Sequence, residues 1–227
     1  MGAQAESARR PGRPGADTPA VPEEDVVLLR GLDAFAELGY DRASARELAR
    51  RLGVSHNFIN DRYGSKAAFW RAVVDAAMGA QLALMPPVDP TADDAEQVRQ
   101  FISGLYRTSV VTPQLGRIFV DEFGRDTERL DYVYERYIAP VLKGVMASIE
   151  RLVATGRMAS VPLDVLFFAI MGPISGMVEV PLARRLGRSD DASPEQLSDT
   201  AEALATLVIN GLLATGRGAG NGRASAG

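Results

Sequence analysis

The chain has 227 residues, 46% of them hydrophobic, and a formal net charge of -4, enough apolar material to bury a sizeable core in one large or two small domains. It contains no cysteine, which excludes a disulfide framework, a thiolate nucleophile and a cysteine zinc site, and is consistent with a reducing, cytoplasmic location. The acidic balance is uneven: from Arg42 to Arg71 seven basic residues stand against only Glu47 and Asp61, a local excess of five that suits phosphate contacts.

Residues 1–22, built of Gly, Ala, Pro and charged residues, read as a disordered arm without the basic-then-apolar layout of a signal peptide. Within it, Arg10-Pro11-Gly12-Arg13-Pro14 has the composition of a minor-groove arm or of an inert tail. A first helix is expected from Glu23 to Leu38, with Val27, Leu28, Leu32 and Phe35 on its inner stripe and an acidic start suited to the helix dipole. Asp41 to Lys66 then reads as two short helices joined by a tight turn. Ser44 and Glu47 have capping-box spacing, so the first should begin near Ala45, with Leu48, Ala49 and Leu52 on its apolar side. Gly53 permits a sharp reversal, and Ser55 is expected to cap a second helix from His56 to Arg62. That helix keeps Phe58, Ile59 and Tyr63 for packing and leaves His56, Asn57, Asn60, Asp61 and Arg62 facing outward. A short polar helix held by a capped partner is a helix-turn-helix, built to enter a DNA major groove.

The flanks extend the pattern. Val26 to Trp70, about a fifth of the chain, resembles the DNA-binding head of the tetracycline-repressor (TetR) family. In that family the first helix ends in a glycine-aromatic pair, matched by Leu38-Gly39-Tyr40, and a serine-lysine pair opens a fourth helix, matched by Ser65-Lys66. The resemblance implies phosphate contacts at Ser44, Tyr63 and Lys66. At Asn60 the sequence departs from the tyrosine that usually touches phosphate, so an adenine-reading amide becomes the alternative. Arg46, Asn57 and Asn60 are the candidates for reading bases. Ser55 and His56 complete the candidate DNA-binding set, and each of these residues has a solvated-surface alternative.

Ser65 should cap a helix running through Met78 or further, and Met85-Pro86-Pro87-Val88-Asp89-Pro90 is the clearest break in the chain. It divides an expected head, 23–85, from a larger helical body, 91–213, followed by a disordered Gly/Ala tail, 214–227. The body should hold a helix with Val98, Phe101, Ile102, Leu105 and Tyr106 inward and a short one with Leu115, Ile118 and Phe119 inward. A long helix follows from about Glu128 to Ala154, kinked at Pro140 and closed at Thr155-Gly156. Leu163 to about Arg185 is hydrophobic nearly all round. Its uncharged run, Val165 to Val178, is shorter than a membrane span and broken by Gly172-Pro173. Ser193-Pro194 opens a last helix with Leu197, Ala201, Leu204, Val208 and Leu212 inward. There is no strand pattern, so the class is all-α. Helices apolar on every side need cover, which points to a homodimer through the last two, the arrangement the resemblance also implies.

Phe101, Tyr106, Phe119, Phe123, Tyr137, Met146, Phe167, Phe168 and Met171 are bulky and adaptable enough to line an apolar ligand pocket, although such residues also serve as plain core. Glu122 falls on the inward stripe of its helix. It is either a ligand contact, able to recognise a cation, or one half of an ion pair with Arg125 or Arg129. Glu179, in the apolar segment, is expected to pair across the dimer with Arg184 or Arg185. The expectation is a ligand-responsive transcriptional regulator, a repressor released from a pseudo-palindromic operator by a small, largely apolar effector. No cofactor, metal or membrane is expected to take part. The alternatives are a helical adaptor and a small α-helical enzyme using buried carboxylates. The second lacks a histidine in the body, any glycine-rich phosphate loop and any metal-ligand spacing.

Overall fold

The computed structural model describes residues 22–178, 180–189 and 191–213, so the tail, Glu179 and the arm up to residue 21 lie outside the described residues. All the regular structure described is helical. Helix α1 (Glu24–Leu38) buries Val27, Gly31, Leu32, Ala34 and Phe35 and stops at Gly39, which reaches φ 72° and returns its N–H to the Phe35 carbonyl. In α2 (Ala45–Leu52) the Ser44 hydroxyl accepts from the Glu47 N–H at 3.2 Å, and Gly53 closes the helix in the left-handed region at φ 72°. The capping box is only half made. The Glu47 carboxylate turns to Arg50 and Arg51, and the Ser44 N–H bonds to the Arg42 carbonyl at 3.0 Å.

Helix α3 (Phe58–Tyr63) is shorter than expected, and Ser55 does not cap it with its hydroxyl. The Phe58 N–H instead bonds to the Ser55 carbonyl at 3.0 Å, so backbone closes the turn and His56 and Asn57 precede the helix rather than opening it. Helix α4 (Lys66–Leu84) starts as expected, the Ser65 hydroxyl accepting from the Ala68 N–H at 3.0 Å, but continues to Leu84 before Met85 turns extended ahead of the prolines. Phe69, Trp70, Val73 and Val74 on α4 pack against α1. The helices meet at Gly31, where an added Cβ would lie 2.7 Å from Phe69 Cζ.

The body holds α5 (Asp94–Ser109), capped by Asp93, and α6 (Pro113–Phe123). Helix α7 (Glu128–Val133) leads through a π turn at Tyr134–Ile138 into α8 (Ala139–Ala154). The π turn lies directly before Pro140, where the sequence predicts a kink. Proline has no N–H to give to the preceding turn, and one residue earlier the Ala139 N–H reaches back five residues to the Tyr134 carbonyl. Helices α9 (Leu163–Val178), α10 (Val180–Arg185) and α11 (Pro194–Leu213) complete the chain. One core joins the head to Leu115, Ile118 and Val133 of α6 and α7, and a second packs α5, α8, α9 and α11 around Ile102, Tyr106, Leu152 and Ala205.

Candidate nucleic-acid interface and ligand pocket

Tyr63 locks α3 onto the head. Its ring lies 4.8 Å from Phe69 and 6.3 Å from Phe58, and its hydroxyl donates to Glu24 Oε1 at 2.7 Å. Burial and the Glu24 carboxylate push the phenol up to about 12. Ser44, Arg46, Ser55, His56, Asn57 and Asn60 are exposed around this rigid support. His56 and Asn57 engage each other, Nδ1 to Oδ1, at 2.7 Å.

The electrostatic excess read from 42–71 is smaller in the fold, because α1 brings in carboxylates from outside that window. Glu24 pairs with Arg62, Glu37 with Arg51, and Glu47 binds both Arg50 and Arg51. These guanidinium contacts hold the Glu47 carboxyl down at about 2. Arg42 caps the Leu38 carbonyl at 2.7 Å, and Arg71 lies 5.1 Å from the Tyr132 ring. Of the seven basic residues, Arg46 is exposed and enters no hydrogen bond, ion pair or ring contact among the described residues. Lys66 is half-buried. Its ammonium donates to the Tyr40 carbonyl at 3.0 Å and stands 4.1 Å from the Tyr40 ring, and desolvation lowers its pKa.

Between α4, α5, α6, α8 and α9 lies a cavity of about 170 Å³. Phe101, Phe119, Phe123, Tyr137, Phe167 and Met171 line it together with Phe168, as the sequence suggested. Phe119 and Phe123 stack at 5.7 Å, and Phe123 meets Phe167 edge-on at 6.0 Å. No Asp, Glu, Lys or Arg is in the lining, and its polar groups are Gln81, Ser109, Thr112, Ser175 and the Tyr137 phenol. Sequence reasoning missed the contribution of α4, whose Met78, Gln81 and Leu82 form part of the wall. The methionine-leucine spacing at the end of that helix carried the signal.

Three expected pocket residues lie elsewhere. Tyr106 is fully buried in the second core, where its hydroxyl donates to the Ile170 carbonyl at 2.8 Å and burial raises its pKa to about 12. Met146 packs against that same core, outside the cavity wall. Glu122 is absent from the cavity lining, and its oxygens accept from Arg129 Nε at 2.8 Å and Thr127 Oγ1 at 3.0 Å. Arg125 is not its partner, since that guanidinium binds Asp41 and Asp121. Of the two expectations for Glu122, the structure displays the ion pair, with Arg129. The expected cross-dimer pairing of Glu179 lies outside the described residues.

The structure also brings together groups that no local pattern announced. The Arg129 guanidinium stands 3.8 Å from the centre of the Tyr40 ring, so the pair anchored on Glu122 reaches the ring that Lys66 also contacts. Asp75, a lone carboxylate in the apolar run of α4, accepts from both Tyr132 and Tyr137.

Residues 28–73 match the family model described as bacterial regulatory proteins, tetR family. No curated protein matches the chain in sequence. Among solved structures, a TetR transcriptional regulator family member from Streptomyces coelicolor A3 aligns with TM-score 0.64 and 21% identity over 86% of this chain and 94% of that one. The TetR family transcriptional regulator PfmR from Thermus thermophilus aligns with TM-score 0.62 and 20% identity over 84% and 97%. The transcriptional regulator FadR from Bacillus subtilis, in complex with stearoyl-CoA, aligns with TM-score 0.56 and 15% identity over 84% and 100%. At these identities the structural likeness shows a shared fold, and the match over residues 28–73 supplies the family of its DNA-binding head. Residues 28–73 thus carry a tetR-family helix-turn-helix head, set on an all-helical body whose fold is shared with solved TetR regulators.

Proposed function

We propose that the protein is a homodimeric transcriptional repressor whose two heads occupy a pseudo-palindromic operator and which a small, uncharged, largely apolar effector releases. The observation that carries this reading is the position of α4. Its first half holds the head through Phe69 and Trp70, and its second half lines the cavity through Met78, Gln81 and Leu82. An occupant that favours a different placement of α4 thereby changes the separation of the two α3 helices. Half-sites are spaced by the DNA repeat, so a small displacement is enough to lose affinity. Ser44, Arg46, Ser55, His56, Asn57 and Asn60 would face the duplex, with Tyr63 and Lys66 at its phosphates after local rearrangement of their present contacts.

Genomic fragments captured by the purified protein, followed by footprinting, test the reading. Protection of two symmetric half-sites is expected, together with loss of protection when a neutral apolar compound fills the cavity. Protection of one asymmetric half-site at saturating protein would sink the dimeric reading.

A further inference from the structure

Asp75 lies in the middle of α4, less than one turn before the cavity-lining Met78. Its Oδ1 accepts hydrogen bonds from the Tyr132 and Tyr137 hydroxyls, each at 2.6 Å, and Arg136 Nε stands 3.5 Å from the same oxygen. These bonds tie the helix that carries the head to the segment formed by α7 and the π turn. Phenol-to-carboxylate bonds of this length are charge-assisted and stronger than neutral ones. Burial and the carboxylate raise both phenol pKa values, so at neutral pH both hydroxyls keep the proton they donate.

The two tyrosines differ in one respect. Tyr137 forms part of the cavity wall, and Tyr132 does not. Tyr137 also sits within the π turn, a widened backbone geometry that recurs at functional sites. The geometry points to Tyr137 as the residue that reports cavity occupancy to the head: an occupant that displaces its ring breaks its bond to Asp75 and loosens α4, while Tyr132 supplies a restraint the occupant does not touch. Ring displacement of about 1 Å takes a 2.6 Å bond beyond useful hydrogen-bonding distance. An uncharged molecule can therefore act on a polar restraint by volume alone, which fits a wall without charged groups. The inference rests on the effector-responsive reading above.

The test uses the full-length protein, the neutral fluorophore N-phenyl-1-naphthylamine as the cavity probe, and hydrogen exchange across residues 45–84 as the readout. In the wild type the probe should bind with a rise in fluorescence and speed exchange in α4 and the head. Tyr132→Phe should keep that response. Tyr137→Phe should bind the probe and exchange rapidly without it, so that the probe-induced increase is lost. Asp75→Asn, which weakens both bonds at once, should behave like Tyr137→Phe. The inference is overturned if wild type and Tyr137→Phe respond alike, or if Tyr132→Phe and Tyr137→Phe lose the response equally, the pattern of a purely structural clasp. Failure of the probe to bind the wild type would instead remove the apolar effector site itself, and the inference with it.

Discussion

Glu122 is only 1% exposed, and Arg129 and Thr127 satisfy its two carboxylate oxygens. A buried ion pair of this kind contributes little over an apolar pair, yet removing one partner leaves the other desolvated and uncompensated. Glu122→Gln should therefore lower stability by about 3 kcal/mol, read by urea unfolding, while leaving binding of an apolar probe in the cavity unchanged. A stable variant with altered probe affinity would return Glu122 to the pocket. The same pair helps to place the head, since Arg129 packs on Tyr40 beside Lys66. Single residues at the corner between α6 and α7 thus bear on the position of a lysine at the start of α4.

At the scale of elements, the head depends on the approach of α1 to α4. Gly31 makes that approach possible, as a methyl group there would fall 2.7 Å from Phe69 and 2.8 Å from Val73. Both neighbours are buried side chains of a filled core and have little space to retreat. Gly31→Ala should destabilise the protein by about 1–3 kcal/mol despite its better helix propensity, and the shift should appear in the denaturant midpoint. A neutral or stabilising result would show that α4 slides freely over α1. Helix α4 is the element on which the proposed mechanism turns, because the head core, the Asp75 restraint and the cavity wall all share it.

At the scale of the whole molecule, large apolar side chains remain exposed along the last three helices. Phe168 on α9, Leu182 on α10 and Leu207 on α11 are 57%, 58% and 70% exposed in the single chain. Such exposure is the expected mark of an interface between copies. Leu207→Glu should leave helicity and single-chain melting near wild type, convert the protein to a monomer by sedimentation, and abolish two-half-site protection. An unchanged dimer would place the interface on another face.

The sequence by itself determined what depends on near neighbours. Ser44, Gly53 and Ser65 fixed helix ends because caps and reversals are settled within three or four residues, and the apolar stripes of α1 and α5 followed from helical spacing alone. The aromatic set of the cavity was legible as a group for the same reason, since bulky residues on successive turns share a face. Tertiary structure alone decided the partners. Glu24 neutralises Arg62 from 38 positions away, and Tyr137 reaches Asp75 across 62. Window counts of charge cannot see such pairings, which is why the head looked more basic in sequence than it is in space. Glu122, Tyr106 and Met146 missed the cavity because periodicity says that a residue faces inward without saying which of two cores receives it. That choice is made by the way whole helices pack, and α6 divides its buried face between the cavity and the Arg129 pair.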